Sequence, residues 1–569
     1  MKRKIKIKNV VLLVVVLAFI AACVFIFLNG EKTFFEKPSN GYLASNTLSV
    51  DLYELKTDED DTETLEKSLD LVRGSKIEYF KDSKITIDEV EYTKVSYDSN
   101  TYYILSDNIV EKMEDVVLEK ELYVRTSLNL LEDLDGNLLS LLEKGEKVEV
   151  IGFNELQDDG SVDLYKIKVG DEEGYYYSKY LVATEEESLK NYDEDGIYKI
   201  HLERGNKLGG GSAANLDYYP VEKVSFEDNK MPDEVYALYI NGAKGIKNNI
   251  DAYIEYAKTT KINAFVVDIK DNCVPAYKSS IYEKYSPTNY KYANNSVEDY
   301  KYAISKLKEN GFYVIGRITT FKDDYYALDN PDYAIGKTDG SLLKHSGSYW
   351  PSPYQREVWE FTLNLAKEAV NLFGFNEIQF DYVRFPDRLT SYENAGVIDY
   401  KNTYDEEKAQ AIQRFLMYAV DELHKLHVYV SADVFGESSW GYVTAYGQYW
   451  PAISNVVDAI SAMPYTDHFG SDKTYWENPY QTMLNWGKTA ATRQTEIETP
   501  AVARTWITAY DTPYWDPYVT YNGERLSEQI QGLYDAGLEG GYMTWNSGSN
   551  LTKYKSQASA FNKNYSSNN

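Results

Sequence analysis

The stretch Glu377-Ile-Gln-Phe-Asp-Tyr-Val-Arg-Phe-Pro386 decides the fold. It opens apolar and β-prone, runs into Asp381 and Arg384, and Pro386 stops any further strand. The same pattern recurs nearby. Phe265-Val-Val-Asp-Ile-Lys270 delivers Asp268, and Val428-Tyr-Val-Ser-Ala-Asp433 delivers Asp433. A (β/α)8 barrel places its catalytic groups in this way, at the C-terminal ends of buried parallel strands. Three short strands that each end in an acid point to carboxylate chemistry, of which glycoside hydrolysis is the leading kind.

Outward from that stretch, candidate strands fall at 234–241, 263–268, 312–317, 376–381, 427–433, 457–462, 500–506 and 540–545. Amphipathic stretches separate most of them, as at Val297–Asn310, Gln355–Leu372 and Asp405–Leu426. Eight β-α units predict a (β/α)8 (TIM) barrel over 234–555, followed by a polar tail at 556–569. A doubly wound open sheet is the alternative. No G-x-G-x-x-G or Walker sequence follows a strand, so nucleotide binding has no support.

Upstream the character is all-β and duplicated. Leu71-Val-Arg-Gly-Ser-Lys76 lines up with Leu142-Glu-Lys-Gly-Glu-Lys147, Tyr102-Tyr-Ile104 with Tyr175-Tyr-Tyr177, and Asn108-Ile-Val110 with Tyr180-Leu-Val182. The offset is 71 to 73 residues throughout. Two small β-domains are expected, at 47–112 and 118–184. A linker at 30–46 precedes them. A linker and packing segment at 185–233 follows, acidic and then Gly-rich.

The chain begins with five basic residues and then the apolar run Val10–Leu28. At ~1.5 Å per residue that run nearly spans the ~30 Å hydrocarbon core. Residues 1–29 therefore read as a basic cytoplasmic segment and a single-pass transmembrane helix. Everything after it lies outside the cell membrane. The alternative is a lipoprotein anchored at Cys23, because Ile20-Ala-Ala-Cys23 resembles a lipoprotein cleavage box. The formal net charge of −30 makes nucleic acid a poor partner. With Cys23 in the apolar run and Cys273 the only other cysteine, no disulfide framework forms. The five histidines show no ligand spacing, so neither a metal nor a cofactor is expected.

Four blocks carry a family resemblance: Lys261–Asp271, Gly311–Asp323, Gln379–Pro386 and Ser431–Gly436. Residues 234–550 resemble a glycoside hydrolase-like family known as domain of unknown function 4015, in the TIM-barrel glycosidase group. The second β-repeat, with Leu122-Tyr-Val-Arg125, resembles bacterial SH3-like (SH3b) domains, and the first does so more weakly. Such modules sit in cell-envelope proteins and bind wall polymers or other proteins; a plain spacer is the bland alternative.

The resemblance implies a nucleophile at Asp381, where related barrels carry theirs at the end of the fourth strand. For the general acid it implies Asp433, ahead of Asp467 and Glu437, with Asp268 a further alternative. Arg384 reads as the cation beside Asp381, and Lys270 as a partner of Asp268 in a pair that is either structural or grips sugar hydroxyls; both count among the expected substrate-binding residues. Arg317, Tyr465, His468, Arg504, Trp506, Trp545 and Asn546 read as residues that grip substrate, and His345 and Trp350 as loop residues covering the site. The function expected is a membrane-anchored extracellular glycoside hydrolase acting on a cell-wall or exopolysaccharide glycan. The alternative is a non-catalytic carbohydrate-binding envelope protein that uses the barrel and repeats as an adaptor.

Overall fold

The computed structural model describes residues 37–58 and 60–568. The candidate membrane span, its basic flank and Cys23 lie outside them. Among the described residues no helix is long and apolar enough to cross a membrane.

The first compact unit is all-β and holds most of residues 37–189. Two seven-stranded sheets occur in this part of the chain, one over 39–110 and one over 121–182. Their strand order is the same when the strands of each are counted along the chain: third, second, sixth, fifth, fourth, first, seventh. Gly74 and Gly145, aligned by the repeat, both turn the chain at positive φ, 85° and 89°, where a side chain is strained. The expected linker at 30–46 is corrected in its last part. Ser39–Leu43 is a strand that pairs with Lys76–Ile87, because Leu43 and Ala44 bury completely.

The second unit holds the barrel and also takes in 127–129 and 135–141. Its strands are β1 (Val235–Ile240), β2 (Ala264–Asp271), β3 (Tyr313–Thr319), β4 (Glu377–Asp381), β5 (Tyr429–Phe435), β6 (Ala459–Met463), β7 in two pieces (Val502–Ala503 and Thr505–Thr508), and β8 (Gly541–Trp545). All pair in parallel in that order, and β8 returns to β1. The first piece of β7 pairs with β6 and the second with β8, so the near-closed barrel changes partner at Arg504.

Helices fill the outside. Ser296 caps Val297–Glu309, Gly374 ends Arg356–Phe373 in the left-handed region, and a Glu407–Gln410 capping box starts Lys408–His424. The acidic, Gly-rich segment does not hang free from residue 190 onward. Tyr198, Ala213, Leu216 and Tyr218 pack with Ala409, Tyr449 and Ile497. Val224, Phe226 and Met231 pack against the base of the barrel interior.

Candidate active site

Inside the barrel, alternate residues of each strand face the axis. At the N-terminal floor these are Glu377 and Arg504, which form an ion pair of 2.9 and 3.0 Å with neither side chain exposed. Ser431 and Tyr313 donate to the same carboxylate at 2.5 and 3.0 Å. Arg504 is thus a floor residue, and the expectation that it grips substrate is corrected. Residues 504 and 506 share a face, but one lies at the entrance of the strand and the other toward its exit.

At the C-terminal mouth, Arg317 of β3 is the hub. Its Nη1 donates to Asp268 at 2.6 Å; its Nε and Nη2 donate to one oxygen of Asp381 at 3.1 and 2.5 Å. Asp271 lies 3.5 Å and Asp433 3.8 Å from the same guanidinium. The second oxygen of Asp381 accepts the Tyr382 backbone N–H at 2.6 Å. Tyr382 holds φ at 49°, a left-handed conformation uncommon for a non-glycine residue, and one that aims its amide at the carboxylate.

Behind this hub, Trp506 donates its indole N–H to Asp433 at 2.8 Å, and the Tyr239 hydroxyl donates to Asp268. The other Asp433 oxygen, the one nearer Arg317, has no hydrogen-bond partner among the described residues. Burial, and then the Asp381 charge, raises the Asp433 carboxyl well above the usual range despite Arg317. Burial likewise pushes Asp268 up to about 7, with Arg317 opposing.

A cavity of about 1200 Å³ opens above Asp381. Asp271, Arg317, Asp381, Glu437, Tyr465, Asp467, His468, Trp506 and Trp545 line it. Trp440, Trp515 and Tyr446 add aromatic wall, and sugar rings stack on such faces. Glu437, just beyond β5, is exposed and accepts from the Tyr442 and Tyr446 hydroxyls at 3.1 and 2.9 Å. Asp467, beyond β6, accepts from Tyr510 at 2.8 Å and from Tyr514. Burial, and then the adjacent acid, raises the Tyr446 and Tyr510 hydroxyls, so both remain donors.

Several expected residues stand elsewhere. Asp268 and Asp433 form the layer under the cavity and do not line it. Lys270 does not meet Asp268. The β2–β3 register shifts between residues 268 and 270, and Lys270 turns outward to a buried pair with Asp323 at 2.8 Å. The shift brings Asp271 to the cavity instead. Arg384 does not pair with Asp381, whose cation is Arg317. Its guanidinium stacks on Phe435, Tyr382 and Trp350 and bonds to Asp387 at 3.3 Å. Asn546, His345 and Trp350 do not line the cavity. Sequence reasoning passed over Lys322, Tyr382, Trp440 and Tyr446, which sit in loops without strand periodicity. The aromatic directly after Asp381 is the signal that would have found Tyr382.

Residues 237–551 match the family described as "Putative glycosyl hydrolase domain". That is over half of the chain, and the chain belongs to this family. No curated protein matches it. Among solved structures, a hypothetical protein from Ruminiclostridium thermocellum ATCC 27405 is 30% identical, over 35% of this chain and 97% of its own, with a TM-score of 0.30. The PgaB (BpsB) glycoside hydrolase domain from Bordetella bronchiseptica is 12% identical, over 58% of this chain and 99% of its own, at 0.40. A class V chitinase from Pseudomonas fluorescens Pf-5 is 12% identical, over 57% and 99%, at 0.36.

Proposed function

We propose that this member of the family is a glycoside hydrolase in which Asp381 is the nucleophile, or the base if the enzyme inverts. The observation that carries the reading is Asp381 itself. It is presented at the end of β4 to the aromatic-walled cavity, and donors hold both of its oxygens. Such donors fix the attacking oxygen, as positioning at a reacting centre requires.

The proton donor in this reading is Glu437 rather than Asp433. Glu437 is exposed in the cavity wall, whereas the Asp433 side chain has no exposed surface. Asp433 then acts beneath Asp381, where its raised affinity for a proton leaves Arg317 to the nucleophile. Glu437 protonates the departing glycosidic oxygen as the C–O bond breaks. Asp381 bonds to the anomeric carbon, or takes a proton from the attacking water. Asp467 is a second reading for the donor, because it lines the same cavity with a hydroxyl on each oxygen. A carboxyl separation of about 5–5.5 Å goes with retention and about 6.5–9.5 Å with inversion.

The substrate is a cell-wall or exopolysaccharide glycan. The chain is anchored by residues 10–28 with its barrel outside the cell, and the two β-repeats act as SH3-like modules that hold it at the wall. The donor is tested with a natural glycan and a nitrophenyl glycoside, whose leaving group needs no acid. The true donor variant, Glu437→Gln or Asp467→Asn, loses turnover of the first and keeps the second. Loss of neither substrate in Glu437→Gln removes Glu437 from the mechanism. Glycan binding by the native protein without any released reducing end supports the non-catalytic adaptor instead.

A further inference from the structure

The chain carries a formal net charge of −30, yet one wall of the cavity is cationic. Lys322, in the turn after β3, is half-buried, and its ammonium stands 4.7 Å from the centre of the Tyr382 ring. Among the described residues it has neither an acidic partner nor a hydrogen-bond acceptor. Arg384 lies 5.1 Å over the same ring. Arg388, exposed, stands 3.4 Å from Asp387, the acid that Arg384 also uses. Three cations thus line the cavity, and two of them share a single carboxylate. A half-buried cation without an acidic partner is costly, and a neutral glycan can accept its hydrogen bonds but cannot balance its charge. Guanidinium and ammonium groups in this arrangement suit a carboxylate or a phosphate.

We propose that Lys322, Arg384 and Arg388 form a subsite for an anionic substituent, a carboxylate or a phosphate, on the glycan. The proposal rests on the reading of this cavity as a glycan site. The subsite adjoins the bond to be cut. The Tyr382 amide holds Asp381 while the Tyr382 ring carries Lys322 and Arg384. The other acids of the cavity, Asp271, Glu437 and Asp467, stand on elements other than the β3 and β4 turns.

The test is calorimetric titration of the full chain with glucuronate, glucose 6-phosphate and glucose at low salt. At least one anion binds about tenfold tighter than glucose or better, a difference of about 1.4 kcal/mol. Added sodium chloride erodes that advantage, and the Lys322→Gln/Arg388→Gln double variant abolishes it. Preference for glucuronate alone assigns a carboxylate, and for glucose 6-phosphate alone a phosphate. The inference is overturned if glucose binds as tightly as both anions, if none of the three binds, or if the preference survives in the double variant. Anion preference without any reducing-end release keeps the subsite and sinks the hydrolase reading. Hydrolysis of neutral glycans without that preference does the reverse.

Discussion

Arg504 at the floor of the barrel and Arg317 at its mouth are both buried, and they live in opposite electrostatic settings. Arg504 meets one carboxylate, Glu377, whose oxygens also take hydrogen bonds from Ser431 and Tyr313. One cation answers one anion and the site is closed. Arg317 meets four acids: Asp268 and Asp381 at bonding distance, with Asp271 and Asp433 farther off. One cation cannot balance them, so burial drives protons onto Asp433 and Asp268. The floor is a scaffold device. The mouth stores an imbalance of the kind that marks working sites.

The sharpest way to break the comparison is at the floor. Arg504→Met leaves Glu377 buried without its cation and is expected to cost about 3–5 kcal/mol, read as a drop in the urea midpoint. Adding Glu377→Gln should recover part of that loss. A single variant as stable as the wild type would mean that the pair does not hold the barrel. At the mouth, Trp506→Phe removes the indole donor to Asp433 and should cost about 1–3 kcal/mol, the usual penalty of an unpaired buried acceptor.

A further effect is expected on the pH dependence of stability. Asp268 titrates near 7 in the fold, above its unfolded value near ~3.9, so the native state binds the extra proton. Its contribution is complete below about 4 and is lost as pH rises through about 7. Asp268→Asn should flatten the fall in stability across that window. An unchanged slope would show that Asp268 is not held protonated by the mouth.

The eight strand positions were legible because buried parallel strands read as short apolar runs between amphipathic helices. Asp381 was legible because its run stops at a proline. The partners of the charges were not. Lys270 and Asp268 share a face in an ideal strand, and only the register shift at Ile269 separates them. Arg384 is three residues from Asp381 and Arg317 is sixty-four away, yet pairing of adjacent strands brings the distant one to the carboxylate. Arg504 and Trp506 share an inward face, and the sequence does not say which end of the barrel each reaches. Glu437 reads as a loop acid, because loops lack the periodicity that marks a facing direction.

The central claim is that Asp381 does chemistry at the mouth while the floor holds the fold. The most direct test is reducing-end release by Asp381→Asn from a glycan that the wild type cleaves, with thermal unfolding measured on the same sample. The expected result is at least about a thousandfold loss of turnover, beyond the 10²–10³ of a single oxyanion donor, with the melting temperature within a few degrees of the wild type. Turnover unchanged in a folded Asp381→Asn protein would contradict the account.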